Sequence, residues 1–132
     1  MNDDLKRILY VEDVSSIATV AVMVLEDLGG FEVRHFLSGQ EAIDALPGFV
    51  PQLVLLDVMM PGMDGPEALR RIRQLPQGRD LPAIFMTAKA QVHEQDEYIA
   101  MGALGVIVKP FEPVSLSATI RQMWKTRDSA VA

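Results

Sequence analysis

The stretch Leu53-Val54-Leu55-Leu56-Asp57-Val58-Met59-Met60-Pro61-Gly62-Met63-Asp64-Gly65 decides how the rest of the chain is read. Its short apolar run, bounded by turn residues, fits a strand buried on both faces, as a parallel sheet covered by helices requires. Asp57 closes the run. A carboxylate at the carboxyl end of a buried strand lies where open α/β sheets place their ligands, held in position by the strand behind it. Taken alone, Asp57 is simply an aspartate that opens a loop; a chemical role requires complementary groups at the same edge.

Four further apolar runs of strand length alternate with helical patterns, and no repeat or low-complexity segment interrupts them. Ile8-Leu9-Tyr10-Val11 predicts a first strand ending in Glu12-Asp13. Ser15 opens a helix with Ile17, Ala21, Val24, Leu25 and Leu28 at helical spacing, stopped by Gly29-Gly30. Glu32 to Phe36, with polar residues interleaved, predicts a short edge strand. Ser38 caps a brief helix through Ala42, Ile43 and Leu46 that Pro47-Gly48 ends.

Beyond Asp57, Asp64 and Glu67 make a capping-box-like pair with Pro66 in the first turn, and the helix runs through Leu69, Ile72 and Leu75 to Pro76-Gln77-Gly78. Ala83 to Met86 predicts a fourth strand ending in Thr87, and a helix from about Val92 to Met101 stops at Gly102. Gly105 to Val108 predicts a fifth strand ending in Lys109-Pro110. The last helix opens near Pro113 and sets Leu116, Ile120, Met123 and Trp124 on one stripe. Such alternation implies an α/β architecture, a parallel sheet with right-handed crossovers and helices on both faces.

At 132 residues the chain suits one domain with a substantial core. It contains no cysteine, which excludes disulfides and thiolate metal sites. Twelve basic against 18 acidic residues give a net charge of −6, so a cation or a basic partner surface is a more natural ligand than nucleic acid. No apolar run reaches spanning length and the start is not a secretory signal, which argues against membrane insertion and for a cytoplasmic location.

The polar residues ending strands one, three, four and five are Glu12-Asp13, Asp57, Thr87 and Lys109, and a parallel sheet turns all of them to one crevice. Three converging carboxylates repel one another, and a hard divalent cation resolves the conflict. Magnesium suits them, with manganese as an alternative. Lys109 then offers a point charge and Thr87 a hydroxyl to phosphate oxygens, leaving Asp57 as a nucleophile able to form an aspartyl phosphate. Each residue also has a plainer reading: Glu12-Asp13 as a helix-opening acidic pair, Thr87 as a turn residue, Lys109 as a strand-end lysine. Their joint occurrence at four strand ends has no comparable plain reading.

With Val11-Glu12-Asp13, Asp57 followed by Met60-Pro61-Gly62-Met63-Asp64-Gly65, Thr87-Ala88 and Lys109-Pro110-Phe111, the chain resembles the receiver domain of a two-component response regulator from about Ile8 to Trp124. The resemblance implies a flavodoxin-like fold, a doubly wound five-stranded parallel sheet in the order 2-1-3-4-5. It implies one receiver domain across residues 1–132, with a core of about 6–125 and a short tail. Asp57 is then expected to accept phosphate from a phosphohistidine on a sensor histidine kinase or a histidine phosphotransfer protein. Asp13, Asp57 and the backbone carbonyl of Met59 are expected to hold the metal, with Glu12 acting largely through water. Thr87 is expected to bind the phosphoryl group and Lys109 to pair with it, the Lys109-Pro110 bond being cis.

The sequence departs from the family pattern at Val106, where receivers usually carry an aromatic ring or histidine three residues before the lysine. A β-branched side chain has little rotamer freedom and no ring to relocate. Met59 and Lys89 occupy places where family members tune the lifetime of the phosphoform; Met59 is expected to shield the acyl phosphate, and Lys89 to pair with Glu12 or the phosphate. Met23, with Val20 and Val22 beside it, reads either as part of a docking surface for a helical phosphodonor or as a stray surface residue. His35 and His93 are not expected to carry phosphate or metal.

The chain is thus expected to be a signalling domain that catalyses only its own phosphorylation and dephosphorylation and either changes its affinity for a downstream protein partner or relays the phosphate, since, unless the chain is a piece of something larger, too little follows Trp124 for an effector domain. Two other classes compete. An aspartyl-nucleophile phosphatase of the haloacid-dehalogenase type wants a second aspartate two residues after the nucleophile, where this chain has Met59, and its metal acids after the lysine. A receiver-like interaction module that takes no phosphate has no use for the complete set of site residues.

Overall fold

In the computed structural model, which describes residues 4–88 and 91–127, the stretch from Leu53 becomes the central strand of a five-stranded sheet. The strands are β1 (Arg7–Val11), β2 (Glu32–Phe36), β3 (Leu53–Asp57), β4 (Ala83–Thr87) and β5 (Ala103–Val108). All neighbours pair in parallel, in the order β2-β1-β3-β4-β5. The helices are α1 (Ser15–Asp27), α2 (Gly39–Phe49), α3 (Gly65–Ile72), α4 (Val92–Ala100) and α5 (Leu116–Lys125). Every residue of β3 is buried, whereas β2, at the edge, keeps Glu32 and Arg34 exposed.

Strand alternation divides the apolar side chains between two cores. On one face Ile8, Tyr10, Leu53, Leu55, Ile84 and Met86 pack with Ala21 and Leu25 of α1 and with Ile120 and Trp124 of α5. On the other, Leu9, Val11, Val54, Leu56 and Phe85 meet Ala42 and Leu46 of α2 and Leu69 and Ile72 of α3. Each fully buried leucine or isoleucine contributes about 1.5–3 kcal/mol of transfer free energy, so both faces of β3 resist any shift of register. The order reverses between β1 and β3, and there the carboxyl ends of the strands open a crevice.

Tertiary contacts move some helix and strand ends. Pro47 does not end α2, which continues to Phe49. Proline in the last turn forfeits a single backbone bond. Phe49, 1% exposed, is held beneath the guanidinium groups of Arg7 and Arg34, 4.3 and 5.1 Å above its ring. The chain leaves through Val50 at φ 54°, whose N–H donates to Leu46 O. In contrast α3 stops at Ile72, before Leu75, and Pro76–Gly78 forms a 3₁₀ turn. Arg73 directly after α3 donates to Met101 O at 2.5 Å and Leu81 O at 3.4 Å, tying this end to the starts of β4 and β5. Helix α5 begins at Leu116, after a turn over 113–115, and β5 begins two residues earlier than its apolar pattern, at Ala103.

Two N-caps act as their spacing suggests: the Ser38 side chain accepts from Glu41 N at 3.2 Å, and Asp64 Oδ1 from Glu67 N at 2.9 Å. Gly65, next to the second cap, lies against the strand end itself. A Cβ there falls 2.4 Å from Asp57 O and 3.0 Å from Val58 Cα, both backbone atoms, whereas a Cβ on Gly48 meets nothing within 4 Å. Gly65→Ala is therefore expected to cost about 1–3 kcal/mol in urea unfolding. Gly48→Ala, in a helical turn with open space, is expected to be neutral or to stabilise by up to about 1 kcal/mol. Equal unfolding midpoints for the two variants would contradict this packing.

Candidate functional site

Four strands deliver one side chain or pair each to the crevice. Glu12 and Asp13 follow β1, Asp57 ends β3, Thr87 ends β4 and Lys109 follows β5. Register brings them to one edge, with Asp57, Thr87 and Lys109 each a residue further along than the last: Asp57 pairs with Met86 and Thr87 with Val108, while Lys109 N donates to Thr87 O at 2.8 Å. Glu12, Asp57 and Thr87 are 0, 2 and 1% exposed, although all three are polar. The Lys109-Pro110 bond is cis, as the family resemblance implies.

Lys109 Nζ lies 2.7 Å from Glu12 Oε1 and 3.0 Å from Asp57 Oδ1, so one ammonium group bridges two buried carboxylates. The other oxygen of Glu12 accepts from Val14 N at 3.2 Å. Burial raises the Asp57 carboxyl; Lys109 opposes the rise, Glu12 reinforces it, and the outcome is a pKa of about 7. Burial alone pulls the Lys109 amine down, but its bonds to Glu12 and Asp57 outweigh this and raise it overall.

Glu12, Asp13 and Asp57 offer carboxylate oxygens that all lie within 4.8 Å of one another. Asp13 Oδ1 is buried and has no hydrogen-bond partner among the described residues. Three oxygen donors around an unsatisfied acceptor fit a hard divalent cation such as magnesium. Three carboxylates against one ammonium also leave a formal surplus of two negative charges for such an ion to neutralise.

The remaining expected positions separate. Met59 is 61% exposed, in the loop after β3. Val106 is half-buried on β5, paired in register with Phe85. Lys89 lies outside the described residues. Met23 is 54% exposed, as expected of the outer face of α1. His35 is not among the carboxylates, yet it supports them: its Nε2 donates to Glu12 O at 2.8 Å, and its ring stands 5.4 Å from that of Tyr10. Reading the sequence missed this contact. Only the β1–β2 register, which sets Tyr10 opposite His35, reveals it.

The fold is a parallel α/β sheet with buried acids, a threonine and a lysine gathered at one edge, and comparison with known proteins shows the class to which it belongs. The pattern of the response regulator receiver domain matches residues 8–121. The phosphate regulon transcriptional regulatory protein PhoB of Rhizobium meliloti is 39% identical over 119 residues, 90% of this chain and 52% of that protein. A 14.6 kDa protein of Leptolyngbya boryana is 35% identical over 115 residues, 87% of each chain. The chemotaxis response regulator CheY4 of Vibrio cholerae superposes with a TM-score of 0.82 at 30% identity, over 91% of this chain and 99% of that one. The chain belongs to the receiver domain family of two-component response regulators. It spans about half the length of PhoB.

The raised Asp57 pKa has a consequence for stability. In the unfolded chain the carboxyl titrates near 4. Ionising it therefore disfavours the folded state, and the stability present below about pH 4 is lost as pH rises through about 7. Asp57→Asn, neutral throughout, is expected to melt several degrees above the unsubstituted protein in metal-free buffer at about pH 8, the gain fading by about pH 4. Equal melting temperatures at the higher pH would show that Asp57 ionises without penalty.

Proposed function

We propose that this receiver domain carries its signal as an acyl phosphate on Asp57. The observation behind the reading is the buried Asp57 carboxylate at a strand end, with Lys109 Nζ 3.0 Å away and carboxylate oxygens of Glu12 and Asp13 within 4.8 Å. Asp57 Oδ attacks the phosphorus of a phosphohistidine on a sensor histidine kinase or histidine phosphotransfer protein. An O–P bond forms, the P–N bond breaks, and the electron pair returns to the donor imidazole, which takes up a proton. Lys109, a point charge fixed by two carboxylates, stays beside Asp57 and offsets the negative charge gathering on the phosphoryl oxygens. Thr87, one residue beyond Met86, the register partner of Asp57 on the adjacent strand, supplies a hydroxyl donor to one of those oxygens.

Glu12, Asp13, Asp57 and the Met59 carbonyl are the groups that would hold magnesium or manganese. Such a cation, when bound, neutralises the carboxylates and the entering phosphoryl group. Attack by water on the acyl phosphate returns Asp57 and inorganic phosphate, so the domain acts only on itself and turns over no separate substrate. Met59, two residues beyond Asp57 and exposed, is the side chain read as limiting that water. The signal passes to a downstream protein partner in the cytoplasm. Direct nucleic-acid binding is disfavoured by the net charge of −6, and among the described residues no helix is long and apolar enough to cross a membrane.

Incubation with acetyl phosphate followed by mass spectrometry tests the reading. A single phosphoryl adduct is expected, dependent on magnesium and absent from Asp57→Asn. Multiple turnover of phosphomonoesters would instead indicate a phosphatase, and no adduct from acetyl phosphate or from a kinase would indicate an inert module.

A further inference from the structure

Helix α4 is the helix with no fully buried residue, and half-buried side chains fasten it to the sheet. Tyr98, near its carboxyl end, packs on the core of the α2–α3 face together with Met101. The Tyr98 ring lies 5.0 Å, centroid to centroid, from Phe85, at an interplanar angle of 48°. Tilted rings at that distance gain about 0.5–1.5 kcal/mol beyond the area they bury, so this contact is a substantial part of what holds a helix with no deeper anchor.

Phe85 is itself fully buried and stands two residues before Thr87 on β4, hence on the same face of the sheet. Its neighbour in register on β5 is Val106, a short β-branched side chain. The ring lying against Phe85 is therefore supplied by α4. Burial raises the Tyr98 phenol, and the charges of Glu94, Glu97 and Asp64 add to the rise. Asp64 is the N-cap of α3, seven positions beyond Asp57. Tyr98 thus contacts the strand that ends in Thr87 and feels the charge of Asp64, which follows the loop that leaves Asp57.

We infer that Tyr98 is a positioning residue that couples the phosphorylation state of Asp57 to helix α4, through its ring contact with Phe85. The inference rests on the reading of Asp57 as phosphoacceptor. When the Thr87 hydroxyl turns to a phosphoryl oxygen on Asp57, the end of β4 shifts. Phe85, a packed ring one alternate position below, carries the shift to Tyr98 and so to α4, because close-packed side chains transmit displacement. The exposed apolar groups Val92 and Ile99 travel with the helix and change what it presents to a partner.

Hydrogen exchange of residues 92–100, measured with and without phosphorylation by acetyl phosphate and magnesium, tests the coupling, with the adduct followed by mass spectrometry. In the unsubstituted protein, exchange of α4 is expected to change about tenfold on phosphorylation, within the usual range of coupling between sites. Tyr98→Leu keeps apolar volume and removes the ring. It is expected to form the adduct at an unchanged rate while losing the difference between the two forms. Tyr98→Phe, which keeps the ring, is expected to retain it. A merely structural role moves both forms of Tyr98→Leu alike and leaves their difference intact, and that result overturns the inference, as does an α4 indifferent to phosphorylation in the unsubstituted protein. Absence of any adduct before substitution instead overturns the phosphoacceptor reading, and the inference with it.

Discussion

The bridge from Lys109 to Glu12 and Asp57 is the interaction on which the arrangement depends. Its distances of 2.7 and 3.0 Å place one ammonium between two carboxylates that are almost wholly withdrawn from water. Two unit charges about 4 Å apart interact by about 4 kcal/mol at an effective dielectric constant of 20. The attraction is therefore comparable with the repulsion between the acids, and one lysine cannot satisfy three carboxylates. Burial, reinforced by Glu12, makes Asp57 hold its proton towards neutral pH against the pull of Lys109, and Asp13 Oδ1 remains without a partner among the described residues. A site in that condition favours the arrival of positive charge.

The fold makes such a concentration of charge tolerable. Apolar side chains on both faces of β3 and β4 fix those strands from below, so the polar groups at their tips cannot separate to relieve repulsion. Gly65 lets α3 start directly against the backbone of Asp57 and Val58, and Asp64 caps it there. On the outer side, His35 secures the backbone carbonyl of Glu12 from the edge strand. The surplus of negative charge and the rigidity of the acid cluster thus share one cause: strand ends held in register by packed cores.

Much of this was legible in the sequence because its signals are local. Unbroken apolar runs marked the strands, Ser38 and Asp64 marked helix starts, and polar residues closing four runs marked the crevice. Where the outcome depended on partners distant in the chain, the reading fell short. Pro47 resembles a helix stop, but Phe49 is drawn under Arg7 and Arg34, and α2 continues. Leu75 keeps helical spacing, yet Arg73 turns aside to the carbonyls of Met101 and Leu81 and α3 ends first. The role of His35 and the meeting of Tyr98 with Phe85 follow from register and helix docking, which no local pattern encodes.

If the cluster is a site strained by surplus negative charge, a cation that binds only the folded protein must stabilise it in proportion to RT ln(1 + [L]/Kd). The direct measurement is unfolding free energy from urea titrations across a range of magnesium concentrations at neutral pH, on the unsubstituted protein and on Asp13→Asn. Stability is expected to climb with magnesium in the first and to stay nearly flat in the second, where a neutral amide replaces a charged oxygen donor. Stability of the unsubstituted protein that is indifferent to magnesium would contradict the account.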